Sequence, residues 1–242
     1  RWEVYANTGS GFAADPTPWA IPQNLFEDEQ FERTAERSGD CGSGSGEFSY
    51  VTMDVTGDGR PDMVLTDRCD AGGVGTIRWD VYENTGSGFA ADAVSWAIPQ
   101  NLFEDEHFEM TAERSGDCGS GSGEFAYQVM DMDGDAMPDL VISDRCDAGG
   151  VGTIRWEYYR NEGNGFAADA TTWELPQNLF EDEHFETVAG RSGSCGSGSG
   201  EFAHQVMDLD GDGAMDLVLT DRCDAGGVGT IRWDVHAASC GG

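Results

Sequence analysis

Three near-identical units follow one another along this chain, and this repetition constrains the fold more than any other feature. RWEVYANTGSGFAAD begins at Arg1, RWDVYENTGSGFAAD at Arg78 and RWEYYRNEGNGFAAD at Arg155, while RWDVH opens a fourth copy at Arg232. All three offsets are 77 residues, so the units contain neither insertions nor deletions. A fixed period of this kind indicates one structural module used several times. The predicted organisation is repeat 1 at 1–77, repeat 2 at 78–154, repeat 3 at 155–231, and a tail at 232–242 that carries the fourth copy of the RW strand.

Within a unit, the pattern is that of short strands. RWEVY alternates, with Trp2 and Val4 on one face and Arg1, Glu3 and Tyr5 on the other, as in a half-buried strand. NTGSG supplies residues that tolerate the positive φ of a tight turn, and FSYVTMD and MVLTD are further strand candidates. NLFEDEQFERTAER alone has helical periodicity, typical of a short helix or an ordered loop. We therefore predict an all-β fold of propeller-blade-like sheets with one acidic insertion in each unit.

An acidic motif recurs just before an aliphatic strand in every unit, as DVTGDGRPD, DMDGDAMPD and DLDGDGAMD. Side chains at alternate positions of a tightly wound loop converge, and a carbonyl at position 7 adds a further oxygen. Oxygen ligands in this number suit Ca²⁺, which also relieves the repulsion between the carboxylates. We expect about one calcium ion per repeat. The candidate ligands at positions 1, 3, 5, 7 and 9 are Asp54, Thr56, Asp58, Arg60 and Asp62; Asp131, Asp133, Asp135, Met137 and Asp139; and Asp208, Asp210, Asp212, Ala214 and Asp216.

The motif is not an EF-hand, because position 12 is Leu65, Ile142 or Leu219 rather than glutamate. These residues belong to aliphatic strands, so we expect the loop to lie in a β-hairpin. A metal-free Asp/Gly-rich turn is the alternative. The sites are also unequal: Thr56 removes one charge from the first, and Ala136 replaces a glycine in the second, where a left-handed backbone costs about 1 kcal/mol.

Six of the seven cysteines form a regular series in which two cysteines of one unit stand 28 positions apart: Cys41 and Cys69, Cys118 and Cys146, Cys195 and Cys223. Short CxxC pairs are absent, which favours disulfides in an oxidising, extracellular setting over a thiol-metal site. Spacing leaves the pairing of Cys69 with Cys118 open. Cys240 has no counterpart in the other units, so it is free, pairs between chains, or pairs with another partner.

Composition excludes several partners. The 46 acidic residues and 13 arginines give a net charge of −33, which repels nucleic acid and anionic membranes, and no stretch is apolar enough for membrane insertion. Arginines repeated in register indicate fixed ion pairs within each unit. The chain begins at Arg1 rather than Met, so we expect either a removed secretory leader or a piece of a longer polypeptide.

No catalytic constellation is evident, and we predict that the protein is not an enzyme. His107 and His184 recur in FEDEHFE, but Gln30 stands at the same place in the first unit, which favours a solvated acidic loop over a second cation site. A second tryptophan series lies in extended, proline-containing segments. Its members, Trp19, Trp96 and Trp173, are predicted either to pack in the core or to form a glycan-binding platform.

The pattern DxDGDGxxDLV, followed some twenty residues later by VYxNTGSGF, resembles the calcium-binding blade of the FG-GAP/VCBS repeat family, which also occurs in the propellers of integrin α-chains. The resemblance covers residues 48–89 and their equivalents. It implies a β-propeller blade in which the aspartate loop binds calcium, with Asp54, Thr56, Asp58 and Asp62 and their counterparts as ligands. This chain departs from the family in its long units, its cysteines, its NLFEDE insertions and its three copies.

Three units are too few for an ordinary closed propeller, and the RW strand occurs four times against three acidic hairpins. The surplus strand favours pairing between chains into a ring or fibre, and a compact monomer is the remaining option. The predicted function is therefore structural or adhesive, in a secreted calcium-binding protein that self-associates. The alternatives are a multivalent lectin and, more weakly, an accessory domain of a larger secreted enzyme.

Overall fold

The computed structural model describes residues 1–22, 48–68, 72–99, 125–145, 149–152, 154–176, 202–222, 227–229 and 231–238. Within these ranges all the regular elements are β-strands, and none of the described residues forms a helix that could cross a membrane. The predicted all-β class is therefore confirmed. The six paired cysteine candidates, Cys240 and the NLFEDE segments lie outside the described residues.

The described residues form thirteen strands in four separate antiparallel sheets, and none of these sheets is closed. The first sheet contains β1 (Trp2–Val4) and β2 (Thr17–Trp19). The second contains β3 (Phe48–Met53), β4 (Asp62–Arg68), β5 (Arg78–Tyr82) and β6 (Val94–Ala97). The third contains β7 (Phe125–Met130), β8 (Asp139–Arg145), β9 (Arg155–Tyr159) and β10 (Thr171–Glu174). The fourth contains β11 (Phe202–Met207), β12 (Asp216–Arg222) and β13 (Asp234–His236).

Each sheet is a meander, and equivalent strands pair in the same register. Val51 lies opposite Val64 in the second sheet, and Gln128 lies opposite Val141 in the third, 77 residues further on. The four-stranded sheets straddle the borders of the predicted units, since β3 and β4 come from residues 1–77 and β5 and β6 from residues 78–154. As a result the first sheet holds only the last two strands of the pattern, and the fourth holds only its first three.

The sheets stack on one another, with a hydrophobic cluster between each neighbouring pair. The sequence of strand β4 is almost continuously aliphatic because both of its faces are covered. Met63 and Leu65 point toward the first sheet, whereas Val64 points toward the third. Successive side chains of a strand point to opposite faces, so a strand covered on both faces needs apolar residues at consecutive positions.

The stacking corrects one expectation from the sequence. Tyr5 and its equivalents were predicted on the polar face of the RW strand, but Tyr82 and Tyr159 are buried. Their face is covered by the preceding sheet, while Trp79 on the opposite face packs against the following one. Both faces of this strand are therefore interior in the two central sheets.

The repeated arginines of the RW strands make ion pairs, as the sequence predicts. The guanidinium Nε of Arg78 lies 2.9 Å from the carboxylate of Asp80, and its Nη1 donates to the carbonyl of Gly72 at 2.8 Å. Arg155 makes the same two contacts with Glu157 and Gly149. Each arginine thus fixes the glycine-rich turn that precedes its own strand.

Candidate metal loops

The three acidic motifs form the turns between the first two strands of the second, third and fourth sheets, which confirms that each lies in a β-hairpin. Their fourth and sixth positions have positive φ, as tight winding requires. In the first loop these are Gly57 at 72° and Gly59 at 84°. In the second loop the sixth position is Ala136 at 69°, the left-handed alanine expected from the sequence.

The loops of neighbouring sheets lie side by side along one edge of the stack. A Cβ added to Gly57 of the first loop would lie 2.7 Å from Cγ of Met137 in the second. A Cβ added to Gly213 of the third loop would lie 3.9 Å from Cα of Gly134 in the second. The acidic loops are thus neighbours, so each adds to the negative potential at the next.

The aspartate at position 1 organises the loop through its two carboxylate oxygens. In the second loop, Oδ1 of Asp131 accepts from the backbone N–H of Gly134 at 2.8 Å, and Oδ2 accepts from that of Ala136 at 2.8 Å. Asp208 accepts equivalent bonds in the third loop. In the first loop Asp54 accepts from the N–H groups of Asp58 at 3.0 Å and Gly59 at 2.7 Å. These bonds wind the chain around the carboxylate.

The aspartate at position 9 begins the second strand of the second, third and fourth sheets and is fully buried. In the second loop, Oδ1 of Asp139 accepts from the backbone N–H of Asn161 at 2.8 Å, and Oδ2 accepts from that of Met132 at 3.0 Å. Burial raises the pKa of Asp139 to about 6, although these two bonds act in the opposite direction. Burial likewise raises the pKa of Asp62.

Carboxylates converge in two of the three loops. Among the described residues, the oxygens of Asp131, Asp133 and Asp139 lie within 4.8 Å of one another, as do those of Asp208, Asp210 and Asp216. The first loop does not form such a group. There the hydroxyl of Thr56 donates to Oδ2 of Asp62 at 3.1 Å, in place of a third carboxylate.

The residues at positions 5 and 7 contact each other in every loop. The backbone N–H groups of Arg60, Met137 and Ala214 donate to the carboxylates of Asp58, Asp135 and Asp212 at 2.8, 2.9 and 2.9 Å. This turn orients the position-5 carboxylate. Ligation by the carbonyl at position 7 remains a prediction.

Arginines enter the first two loops. Arg60 forms an ion pair with Asp58. Arg160, which follows β9, lies 2.7 Å from a carboxylate oxygen of Asp133 and 3.5 Å from one of Asp135. Sequence reasoning missed Arg160 because it stands 21 or more positions after the motif; its equivalents are Glu83 and Ala237, so it is not part of the repeated pattern.

An asparagine was also missed as part of these loops. Besides its N–H bond to Asp139, Asn161 donates through Nδ2 to the carbonyls of Val55 at 2.9 Å and Pro138 at 3.1 Å. It therefore ties the second loop to the first. The sequence shows this asparagine only as the beginning of the NTGSG-type turn.

The candidate glycan-binding tryptophans lie beside the core tryptophans. Trp96 pairs across strands with Trp79 and is 1% exposed, while Trp19 and Trp173 are partly buried. Trp96 also lies edge-on to the ring of Phe166, with 6.5 Å between centroids. Core packing, the first of the two predicted roles, is therefore confirmed for Trp96, and its burial counts against a glycan platform at that position.

No family model matches the chain, and no curated protein resembles it in sequence. Among solved structures, a chain of the Photorhabdus luminescens Tc holotoxin pore is 18% identical over 90% of this chain, with a TM-score of 0.45. A chain in the crystal structure of TcdB2-TccC3-TEV is 20% identical over 69%, with a TM-score of 0.38. The present chain spans 7% and 6% of the lengths of those chains. Neither likeness assigns a function to it.

Proposed function

We propose that this chain is a non-enzymatic, calcium-binding structural repeat protein of the extracellular space, and that it self-associates. The observation that carries the calcium assignment is the convergence of three carboxylates, one of them fully buried, in each of two neighbouring loops. Ionising a buried carboxylate beside two others costs free energy, and a divalent cation offsets that cost. The FG-GAP/VCBS resemblance supports the same assignment, because it implies a hairpin loop of this kind.

Calcium fits the loops better than a transition metal. The donors are carboxylate and carbonyl oxygens, which are the ligands that hard cations prefer. Mg²⁺ demands a strict octahedron, whereas Ca²⁺ accepts six to eight oxygens in a flexible arrangement. The described residues of the loops contribute neither histidine nor cysteine to these groups.

The three loops should differ in affinity. The third loop has four aspartates. Ala214 stands at the position of Arg60 in the first loop, and Ala237 stands at the position of Arg160 beside the second. In the second loop a calcium ion has to compete with the guanidinium of Arg160. The first loop has one carboxylate fewer and an arginine of its own. We therefore propose the order third, second, first.

The calcium assignment is tested by calorimetric titration of the metal-free protein. We expect two stronger sites and one weaker site, with the melting temperature rising as calcium is added. Asp210→Asn should remove the strongest site, whereas Arg160→Ala, a control of opposite sign, should strengthen the second. A melting temperature that does not change on adding calcium or chelator would refute the metal assignment in all three loops.

The self-association is supported by a different observation: in the part of the chain that the structure describes, the sheets at the two ends of the stack have fewer strands than the central ones. The central sheets have four strands, whereas the first has two and the fourth has three. Large apolar side chains are exposed on both end sheets, among them Phe12 and Trp233. Sedimentation velocity in millimolar calcium tests this part: we expect oligomers, and a concentration-independent monomer would contradict it. Sequencing the parent gene decides the accessory-domain alternative.

A further inference from the structure

The two internal joints between sheets are built in the same way. After β5, the hairpin at residues 84–89 places the ring of Phe89 edge-on against Trp2, with 5.3 Å between centroids, and 6.4 Å from Trp19. After β9, the hairpin at residues 161–166 places Phe166 in the same way, 5.3 Å from Trp79 and 6.5 Å from Trp96. Each phenylalanine thus fills the angle between two tryptophans of the preceding sheet.

The backbone reinforces these joints. The N–H of Phe89 donates to the carbonyl of Ala20 at 2.9 Å, and that of Phe166 donates to the carbonyl of Ala97 at 3.0 Å. The glycine before each phenylalanine allows this approach, because a Cβ on Gly88 would lie 2.6 Å from Cβ of Ala20. The Gly-Phe pair is therefore a docking element for the preceding sheet.

The N-terminal hairpin has the same construction without anything to dock on. In this hairpin the backbone N–H of Thr8 donates to the carbonyl of Gly11 at 2.8 Å. In the second sheet the N–H of Thr85 donates to the carbonyl of Gly88 at 2.9 Å. However, Phe12 is 76% exposed, and a Cβ on Gly11 would meet nothing within 4 Å. Within the part of the chain that the structure describes, this docking element has formed but contacts no receptor.

The receptor without its phenylalanine lies at the other end. Trp156 and Trp173 are the third tryptophan pair, and beside them opens a cleft of about 240 Å³. Its remaining lining includes Leu175 and Leu217, while the side closed by His236 and Ala238 belongs to β13 and the residues that follow it. A cavity of about 150 Å³ suffices for a benzene ring, so this cleft can receive a phenylalanine side chain.

Strand β13, which borders the cleft, differs from the equivalent strands β5 and β9 in length, burial and sequence. It has three residues where β5 and β9 have five. Trp233 is 53% exposed, whereas the equivalent Trp79 and Trp156 are 0% and 2% exposed. His236 and Ala238 stand where the second and third sheets have tyrosine and asparagine. Strand β1 is followed by Tyr5 and Asn7, which are the residues of the internal pattern.

We propose that β1 and β2 of a second copy of this chain replace β13 beside β12. The register of β4 with β5 would then place Tyr5 opposite Leu217 and Val4 opposite Val218. Phe12 fills the cleft between Trp156 and Trp173, and β2 supplies the missing fourth strand. The fourth sheet becomes a four-stranded sheet like the two central ones. Because the two surfaces differ, the contact is head to tail and builds rings or filaments.

The proposal rests on the self-association proposed above, and sedimentation equilibrium in millimolar calcium tests it. Phe12→Ala should raise the Kd for association by roughly 10- to 100-fold, the effect of losing one buried aromatic ring. Gly11→Val should act in the same direction, because its methyl groups would meet the backbone around Glu174, while the isolated chain has room for them. Ile231→Ala is the matched control, because it removes an exposed apolar side chain that belongs to neither of the two docking surfaces.

A second variant separates strand exchange from simple hydrophobic contact. Val235 of β13 lies opposite Val218 of β12, so Val235→Pro weakens the strand that has to leave. We expect its Kd to fall by about tenfold or more, because displacing β13 then costs less. Circular dichroism melting confirms that each variant is folded.

The outcomes are distinct. If the wild-type chain and Val235→Pro are both monomeric, the exchange and the proposed self-association fail together. If the wild type associates but neither Phe12→Ala nor Gly11→Val weakens association, the exchange is wrong and the self-association stands. A Val235→Pro variant that associates no better than wild type also overturns the exchange.

Discussion

At the scale of single residues, the nine-residue acidic motif contains side chains with different tasks. Asp139 is buried and accepts two backbone hydrogen bonds that join the loop to the neighbouring chain segments. Asp133 instead lies near the surface, where it pairs with Arg160. The sequence presents both as metal ligands at odd positions. Only the structure shows that Asp139 also holds the backbone of the loop, whereas Asp133 pairs with an arginine.

This difference can be measured by unfolding in urea with chelator present. Asp139→Ala leaves two buried N–H groups without their acceptor, so we expect a loss of about 2 kcal/mol in the free energy of unfolding. Asp133→Asn should cost less than about 1 kcal/mol, as for other exposed ion pairs. Equal losses for the two variants would contradict the structural role of Asp139.

His204 is a second residue whose role depends on its surroundings. It occupies the position of Tyr50 and Tyr127, and its ring lies 6.3 Å from that of Trp156. Burial lowers the pKa of His204 to about 4, below its usual value of 6.5. The sequence shows only an isolated histidine at an otherwise aromatic position.

The lowered pKa predicts how stability depends on pH. Between pH 6.5 and 4 the unfolded chain binds a proton at His204 that the folded chain excludes, so the contribution of this residue lowers the free energy of unfolding as the pH falls. The loss attributable to His204 approaches about 3 kcal/mol at pH 4. His204→Tyr, which restores the repeated residue, should remove this part of the slope. Denaturant melts of both proteins at several pH values in this range test the prediction, and parallel curves would refute it.

At the scale of elements, the acidic loops are tight turns, and the sequence predicts which of their residues adopt positive φ. Alternating glycines predict positive φ, and the positions concerned have it, including Ala136 at 69°. Turn geometry depends mainly on local sterics, so a few residues of sequence suffice to predict it. The contact between loops, such as that of Asn161 with Val55, joins residues 106 positions apart and has no local signal.

The strain at Ala136 yields a reciprocal pair of variants. Ala136→Gly should raise the free energy of unfolding of the metal-free protein by about 1 kcal/mol, because glycine adopts this conformation without steric cost. Gly59→Ala should lower it by a similar amount, as a Cβ there would meet nothing within 4 Å and adds only strain. Thermal or urea melts with chelator measure both, and a stabilising Gly59→Ala would contradict the argument.

At the scale of the whole molecule, stacked sheets and accumulated charge oppose each other. Hydrophobic clusters join each sheet to the next, while a net charge of −33 and three adjacent acidic loops repel. The described arginines that pair do so mostly within their own turn and strand, so they offset only part of this repulsion. We therefore expect cations from solution to have a large effect on stability.

This balance predicts a dependence on salt that calcium suppresses. With chelator present, raising NaCl from 0.01 to 0.1 M shortens the screening length from about 30 to about 10 Å. We expect the melting temperature to rise by several degrees, and by less when calcium occupies the loops. A melting temperature that is independent of NaCl in chelator would show that charge repulsion does not limit stability.

Sequence by itself determined the all-β class, the 77-residue period, the hairpin position of the acidic loops and the positions of their positive-φ residues. These properties follow from alternation and backbone sterics over a few residues. Tertiary structure decided which strands share a sheet, that both faces of the RW strand are covered in the two central sheets, and that Arg160 enters the second loop. It also exposed Phe12 at one end and opened a cleft beside Trp156 at the other. These depend on which surfaces meet in space, and the local sequence of a near-identical repeat does not show which neighbour covers it.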